Sequence, residues 1–342
     1  MTANEGIDAG LYVSYLSHNR SLDTLYTSSA DGVSWPYGGV GLNGVLGTCI
    51  TKFGQQLWIA VPDADNLNKG TNLFTSADGT NWIHVGQSHR AVVDTPALAS
   101  IHGRLYLAYR NSQNEIVQVE VGDLPRSWGE ERVIAYNVSS LSMAAIPGLL
   151  VVAYIDAPGD LYILTSSDGT SWSASRNYTQ VFGSVSPDPI VRIRISTIDK
   201  NTLGVVAGNT TGGMYTSTMT VSEQGIEEEG GAPSITFAPF VGQGALSQSA
   251  PSIAWFRNKN WLSFNSRNSA QSLMIYSYGA GAGPTQSVCG SQASNGDSSI
   301  IGIEYRSGSV MPKVLVLTLM YAPPGAGGDT ASTVTYGSQS AA

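Results

Sequence analysis

A seven-residue turn sequence, Ser76-Ala77-Asp78-Gly79-Thr80-Asn81-Trp82, recurs with small changes at Ser29 to Trp35 and at Ser166 to Trp172. Trp128 stands alone where a fourth, degenerate copy falls, so Trp35, Trp82, Trp128 and Trp172 follow one another at steps of 47, 46 and 44 residues. Steps of that size match a repeated four-stranded unit rather than a helix pair. In each copy Asp-Gly supplies a residue tolerant of positive φ, and the Ser and Asp side chains are suited to bonding turn amides. The tryptophan then packs the turn onto the unit that carries it. The chain is expected to be a ring of repeats.

A second recurring element supports that expectation. An apolar run, a polar loop and another apolar run read as two antiparallel strands. The first run begins at Leu11, Leu57, Leu105, Leu150, Leu203, Trp261 and Ile301, and its partner at Leu25, Leu73, Ile116, Leu161, Met214, Leu273 and Val314. Small-residue strands precede most pairs, at Val45 to Ile50, Ala97 to Ile101, Leu141 to Ile146, Val191 to Ser196 and Ser252 to Trp255. Small side chains suit a crowded inner strand, and Pro96, Pro189 and Pro251 sit where a missing N–H harms no ladder bond. Seven pairs predict an all-β, seven-bladed β-propeller of four-stranded antiparallel blades, with six blades as the alternative. The first pair lacks an inner strand before it and the last lacks an outer one, so the two ends of the chain are expected to share one closing sheet.

The repeated turn resembles the Asp-box of BNR, or sialidase-like, β-propellers, although Gly follows Asp directly in all three good copies here. The resemblance implies that Asp31, Trp35, Asp78, Trp82, Asp168 and Trp172 are structural repeat residues, on hairpins away from the ligand face. It does not extend to catalysis. A sialidase needs an arginine triad, a tyrosine nucleophile with a glutamate, and an aspartate acid/base. The Phe/Tyr-Arg-Ile-Pro motif carrying the first arginine is absent. Glu304 and Tyr305, as neighbours on a strand, point to opposite faces. Neither a nucleophile elbow with its serine nor a phosphate-binding Gly-rich loop followed by Lys-Ser/Thr is present.

Composition narrows the partners. The formal charge of -8 and the scarcity of charged residues, 12% of 342, argue against a nucleic-acid footprint. Neither a signal peptide nor an apolar run long enough to span a bilayer is read in the chain, so extracellular action would require a larger or non-classically exported protein. Cys49 and Cys289 fall in strand-like stretches of different repeats and read as two buried thiols, with a disulfide as the alternative. No cofactor is expected. Calcium at Asp63/Asp65 or near Asp156/Asp160 is the one metal alternative, and no other metal-ligand spacing occurs. Residues 1–322 are assigned to the propeller. The Pro/Gly/Ser-rich stretch 323–342 is a closing strand or a linker to a further domain.

The loops within the strand pairs and between the repeats are expected on one face. Those within the pairs carry Asn19, Arg20, Arg110, Asn111, Asp156, Arg267, Asn268 and Arg306, and Tyr109 ends the strand before Arg110. Arginine donates paired hydrogen bonds to carboxylates or vicinal hydroxyls, and Asn or Asp completes a sugar's hydroxyl pattern. Tyrosine offers a flat apolar face to a pyranose or, equally, packs in the blade. These residues are the candidate ligand set of a lectin-like, non-catalytic propeller whose partners are glycans or glycoconjugates. A divergent glycosidase, or a receptor-binding module of a larger secreted protein or toxin, is the alternative.

Overall fold

A computed structural model describes residues 11–300 apart from 17–22, 30–36, 44–45, 64–69, 80, 89–90, 123–127, 184, 223–232, 248, 257–258, 268–271, 280–281 and 294–298. The chain opens with β1 (Leu11–Leu16), β2 (Asp23–Ser29) and β3 (Tyr37–Asn43). A second sheet holds β4 (Cys49–Phe53), β5 (Gln56–Pro62), β6 (Thr71–Ser76) and β7 (Ile83–Gln87). A third holds β8 (Ala97–Ile101), β9 (Arg104–Arg110), β10 (Ile116–Val121) and β11 (Arg132–Ala135). In the fourth are β12 (Val138–Ile146), β13 (Leu149–Asp156), β14 (Leu161–Ser166) and β15 (Arg176–Asn177). The fifth comprises β16 (Ile190–Thr197), β17 (Thr202–Asn209), β18 (Gly213–Ser222), β19 (Ser234–Phe237) and β20 (Val241–Leu246). The last comprises β21 (Ser252–Phe256), β22 (Lys259–Asn265), β23 (Ser272–Gly279) and β24 (Ala282–Ala293), after which β25 (Ser299–Ile300) returns to β1.

All pairings are antiparallel, and the innermost strands touch in the order β25, β4, β8, β12, β16, β21 and back to β25. That circuit closes a propeller. The expected number of blades is corrected by the sheet order. Ser299 and Ile300 lie beside Ser14 and Val13, so this stretch is the inner strand of the first sheet and does not open a seventh pair. Four-stranded sheets number five among the described residues, and the remaining sheet has five strands, so a uniformly four-stranded ring is corrected as well. The reason lies in β18, whose 10 residues carry β19 along Met219–Ser222 and β20 along Gly213–Thr216. Pro239, between those two outer strands, has no N–H to continue a ladder. Residues 301–342, with the expected partner strand at Val314 and the stretch 323–342, lie outside the described residues.

The core consists of slabs between neighbouring sheets. Ala60, Leu73, Leu105, Leu107 and Tyr109 fill the space between the second and third sheets, and Tyr106, Met143, Leu150 and Val152 fill that between the third and fourth. Burying each of the leucine, valine and methionine side chains stabilises by about 1.5–3 kcal/mol. Alternation along each strand sends successive side chains into the slab on either side.

Inner strands present unpaired edges to the axis, and here side chains satisfy them. Ser140 Oγ and Ser142 Oγ of β12 accept from Ile193 N and Ile195 N of β16, at 3.4 and 3.0 Å. Thr197 Oγ1 of β16 donates to Ala145 O at 2.6 Å, and the half-buried Cys49 of β4 accepts from Leu98 N of β8 at 3.1 Å. Small polar residues therefore replace ladder bonds where two edges meet.

The repeated turn works as a clasp. Ser166 Oγ accepts from Gly169 N at 2.9 Å, and Asp168 Oδ1 accepts from the amides of Thr170 and Ser171, both at 2.7 Å. In the second sheet, Ser76 Oγ accepts from Gly79 N at 2.8 Å and Asp78 Oδ1 from Asn81 N at 2.7 Å. The Asp168 turn docks on the preceding sheet: His102 Nε2 donates to Ser167 O at 2.9 Å, Tyr106 Oη to Asp168 O at 3.3 Å, and Arg132 Nη1 to Thr170 O at 3.3 Å. Trp172 packs against the same intersheet core, and Trp128 against the one before it. Asp31 and Trp35, the same motif in the first sheet, lie outside the described residues.

Gly169 has φ of +76°, and a Cβ there would drive into the Tyr106 ring, whereas at Gly103, with φ of +72°, a Cβ would meet open space. Gly169→Ala is expected to cost about 2 kcal/mol or more, and Gly103→Ala only the left-handed strain of about 1–2 kcal/mol. Urea unfolding of the two variants measures the difference. Burial works to raise the Asp168 carboxyl, but the Ser171 and Thr170 amides outweigh it and hold the group well below its ordinary value of 3.8. A depressed folded value means that the stabilisation is present above that ordinary value and is lost as pH falls toward the folded one. The urea midpoint is therefore expected to drop below about pH 4, and Asp168→Asn to flatten part of that drop.

Candidate ligand face

Backbone bonds show that the turns between second and third strands share a face with the links between sheets. Val93 N donates to Arg110 O at 3.0 Å, Val138 N to Asn114 O at 2.8 Å, Ala157 N to Asn137 O at 3.0 Å, and Ser247 N to Gly212 O at 2.9 Å. Each bond ties one sheet's turn to the chain entering or leaving a neighbour. The clefts along these seams hold the polar side chains.

At the seam between the second and third sheets, Arg110 ends β9 and reaches the link from β7. Its Nη1 donates to Asn114 Oδ1 at 2.8 Å and its Nη2 to Val93 O at 3.3 Å, while Nε stands 3.8 Å from Asp94 Oδ2. The two charged side chains are about a fifth exposed, 21% and 18%, so the pair is partly desolvated yet open to a ligand. Asn114 adopts φ of 59°, which turns its side chain back toward the arginine. Tyr136, 65% exposed, marks the next seam along.

A second arginine lies between the fifth and last sheets. Arg267, exposed, donates through Nη1 to Thr211 O across the seam, and its own N–H bonds Leu246 O at 3.1 Å. Thr211 Oγ1 lies 2.9 Å from Asp188 Oδ2 and 3.0 Å from Asn209 Oδ1. The Arg110 cleft thus gathers an arginine, an aspartate and a neutral polar side chain from a turn and a link, whereas Arg267 meets the backbone of Thr211, whose hydroxyl bonds Asp188 on the link into the fifth sheet. Such a set donates and accepts at once, as a polyol requires.

Other expected residues are engaged within their own turns or the core. Asn111 is 5% exposed; its Oδ1 accepts from Gln113 N at 2.9 Å and Glu115 N at 3.0 Å, and its Nδ2 donates to Glu115 Oε2 at 2.7 Å. Asp156 Oδ1 accepts from Gly159 N at 3.1 Å and Asp160 N at 2.8 Å. Asn209 does the same for Gly213 N at 2.6 Å. Tyr109 is fully buried, and its hydroxyl donates to Glu131 Oε1 at 2.8 Å. Its counterpart Tyr154 stacks on Tyr162 with ring centroids 5.2 Å apart and donates to Ser175 Oγ at 3.0 Å, and burial pushes its hydroxyl pKa up.

Asn19, Arg20, Asn268 and Arg306 lie outside the described residues, as does Asp65 of the calcium alternative. Among the described residues no group of three or more His, Cys, Asp or Glu side chains is placed to hold a metal ion. Nor is any helix among them long and apolar enough to cross a membrane. Asn114 and Thr211, polar residues inside short turns, carried no periodic signal that would have set them apart in the sequence.

No protein-family model matches the chain, and no curated protein does. Solved structures do match. The lectin of the fungus Aleuria aurantia, described as a six-bladed β-propeller with a novel mode of fucose recognition, aligns at 14% identity and TM-score 0.52, covering 83% of this chain and 97% of the lectin. AofleA from Arthrobotrys oligospora aligns at 11% and 0.53 over 93% of this chain and 92% of that one. A protein of unknown function from Dyadobacter fermentans aligns at 12% and 0.51, over 83% and 94%. At these identities the likeness defines the fold. The likeness is to propellers such as the Aleuria lectin, so the resemblance to BNR, sialidase-like propellers drawn from the Ser-x-Asp-Gly turns is corrected. The turn recurs because an Asp-Gly hairpin anchored by Ser and Asp closes two outer strands economically, whatever the propeller's ancestry.

Asn111→Ala removes an acceptor for two turn amides and is expected to destabilise by about 1–3 kcal/mol. Arg110→Ala, at the rim, is expected to cost less than about 1 kcal/mol. Chemical denaturation of both variants tests whether turn and rim separate in this way.

Proposed function

We propose that the chain is a carbohydrate-binding, lectin-like β-propeller that holds glycans in the clefts between neighbouring sheets without transforming them. One observation carries the reading: Arg110 gathers Asp94 and Asn114 in one cleft, and a second arginine, Arg267, spans another cleft on the same face to reach Thr211 O. The arginine donates to ring or hydroxyl oxygens, and the aspartate accepts from sugar hydroxyls. Asn111, Asp156 and the buried Tyr109 hold the turns and strand ends in place. Arg20 with Asn19, and Arg306, are the corresponding candidates in other repeats, and Asn268 follows Arg267 in its own turn.

The fold supports the reading, since the Aleuria lectin is described as fucose-specific and its structures include complexes with fucosides. Fucosylated glycans are therefore the first ligands to try. Several weak clefts on one face suit a surface dense in glycans, where linked binding raises avidity by large factors.

A glycan array, run beside a sialidase assay on a fluorogenic substrate, tests the proposal. Binding to a defined glycan set is expected, without turnover. Loss of a charge-assisted hydrogen bond is worth about 1.5–3 kcal/mol, so Arg110→Ala and Arg267→Ala should each weaken binding at the cleft affected by about ten- to a hundred-fold. Turnover, or array binding indifferent to both substitutions, refutes the lectin reading.

A further inference from the structure

The seam between the fifth and last sheets can be followed from an inner strand to the tip of a turn. A Cβ placed at Gly208 of β17 would stand 3.6 Å from Cβ and 3.8 Å from Cδ of Arg192 on β16, and 3.6 Å from Cδ of Pro251 in the link to β21. The stem of Arg192 therefore lies over Gly208, on the face of the fifth sheet turned to the last one, where a Cβ at Gly204 would meet Ile253 Cδ1 at 3.1 Å. Arg194, two residues on, lines instead the axial cavity between the inner strands. Thr211, whose carbonyl takes the bond from Arg267 Nη1, follows Gly208 by three residues. Two guanidinium groups, one from each sheet, thus enter the seam from anchor points within about 10 Å of each other.

Neither is neutralised there. Arg192 is half-buried and forms no hydrogen bond or ion pair among the described residues, and Arg267 forms no ion pair among them. Asp188, on the link into the fifth sheet, accepts from Thr211 Oγ1 at 2.9 Å and pairs with neither arginine. The positions of this turn and link outside the described residues, 248 and 268–271, hold no acidic residue. The Arg110 cleft differs, since Asp94 stands 3.8 Å from Arg110 Nε. A third feature belongs to the link itself: Ser249 is 7% exposed, and its hydroxyl has no hydrogen-bond partner among the described residues. Ser247 holds that link against the turn, accepting from Ser249 N through Oγ at 3.3 Å and donating through its own N to Gly212 O. A buried hydroxyl left unbonded is destabilising, and so is a partly desolvated cation left unpaired. An arginine stem packed on its neighbours with the head in water is an ordinary surface arrangement. It does not account for a second arginine and an orphaned hydroxyl at the same seam.

Resting on the glycan-binding reading above, we propose that this cleft takes the acidic group of a glycan, a carboxylate or a sulfate ester, between Arg192 and Arg267, with Ser249 as a neutral donor. A guanidinium presents a planar set of donors matched to the oxygens of either group. The Arg110 cleft, with an aspartate beside its arginine, is left to neutral hydroxyls. The two clefts read different sugars of one glycan surface.

A glycan array of matched sets, with lactose beside sialyllactose and sulfated lactose, is probed with the full chain, and affinities are then measured by calorimetry. Acidic members are expected to bind about ten-fold or more tightly than their neutral partner, by a margin that shrinks as sodium chloride rises. The sialyl and sulfo arms separate a preference for carboxylate from one for sulfate. Arg192→Gln should remove most of that margin, and Arg192→Lys, which keeps the charge without the planar fork, part of it. Ser249→Ala deletes an unbonded hydroxyl, so Tm should hold or rise while the margin falls several-fold, which keeps the test decisive where Arg192→Gln fails to fold. Arg176→Gln removes an exposed charge from β15, controls for net charge and should leave the margin intact. Neutral members binding as tightly as acidic ones, or a margin unchanged in both Arg192→Gln and Ser249→Ala, overturn this proposal and leave the lectin reading standing. An array without binding overturns both.

Discussion

Every sheet of this propeller turns one strand edge toward the axis, where no further strand pairs with it. An unpaired edge leaves N–H and C=O groups without ladder partners and invites wrong pairing. The chain resolves this with side chains one or two bonds long. Ser140 and Ser142 reach amides of β16, Cys49 reaches one of β8, and Thr197 reaches back to Ala145 O. Only short polar side chains make these bonds while allowing the inner strands to approach. The same requirement explains why the inner strands are rich in Ala, Ser and Thr, and why the cavity between them is lined with hydroxyls. β25 on β1 then closes the ring of inner strands.

Closing the wheel fixes which ends of the strands lie together. Once β8 and β12 stand side by side, the turn after β9 must meet the chain entering β12, as the bond from Val138 N to Asn114 O records. Left-handed Asn114 and Asn137 occur at these seams, where two turns have to pass close to each other. Asparagine tolerates that backbone region better than most residues with a side chain, and it adds a polar group to the seam. The polarity of the ligand face thus begins as a solution to a backbone problem.

Much of this order was legible in the sequence. The first six strand pairs coincide with β1/β2, β5/β6, β9/β10, β13/β14, β17/β18 and β22/β23, because two-residue alternation and turn chemistry act locally. The inner strands were readable from their small residues, and β8 matches its expected span, Ala97 to Ile101. The expectation of a seventh sheet failed for a non-local reason: nothing in the local pattern at Ser299–Ile300 shows that this strand returns to pair with β1. Five strands in one sheet escaped detection because β19 and β20 share a partner only through the long β18. Arg192 was passed over although Arg192-Ile193-Arg194-Ile195 alternates openly. Alternation shows that two arginines share a face, but not that the stem of one lies in the seam with the next sheet.

Among the ligand candidates, length of side chain decides the role. Asn111, Asp156 and Asn209 each follow or end a strand, and their short side chains bond amides two to four residues on, within the same turn. Local bonding of this kind competes with any outside partner, because the turn amides lose their acceptor when the side chain swings away. Arginine cannot fold back so tightly. From the same region of the strand pair, Arg110 and Arg267 extend across the seam to Val93 O and Thr211 O, which places a charged, many-donor group between two sheets, in the case of Arg110 beside Asp94. Five donors on one guanidinium exceed what one or two carbonyls take up. A polar turn sequence alone therefore marks scaffold; an arginine added to it marks the place where the scaffold has donors to spare.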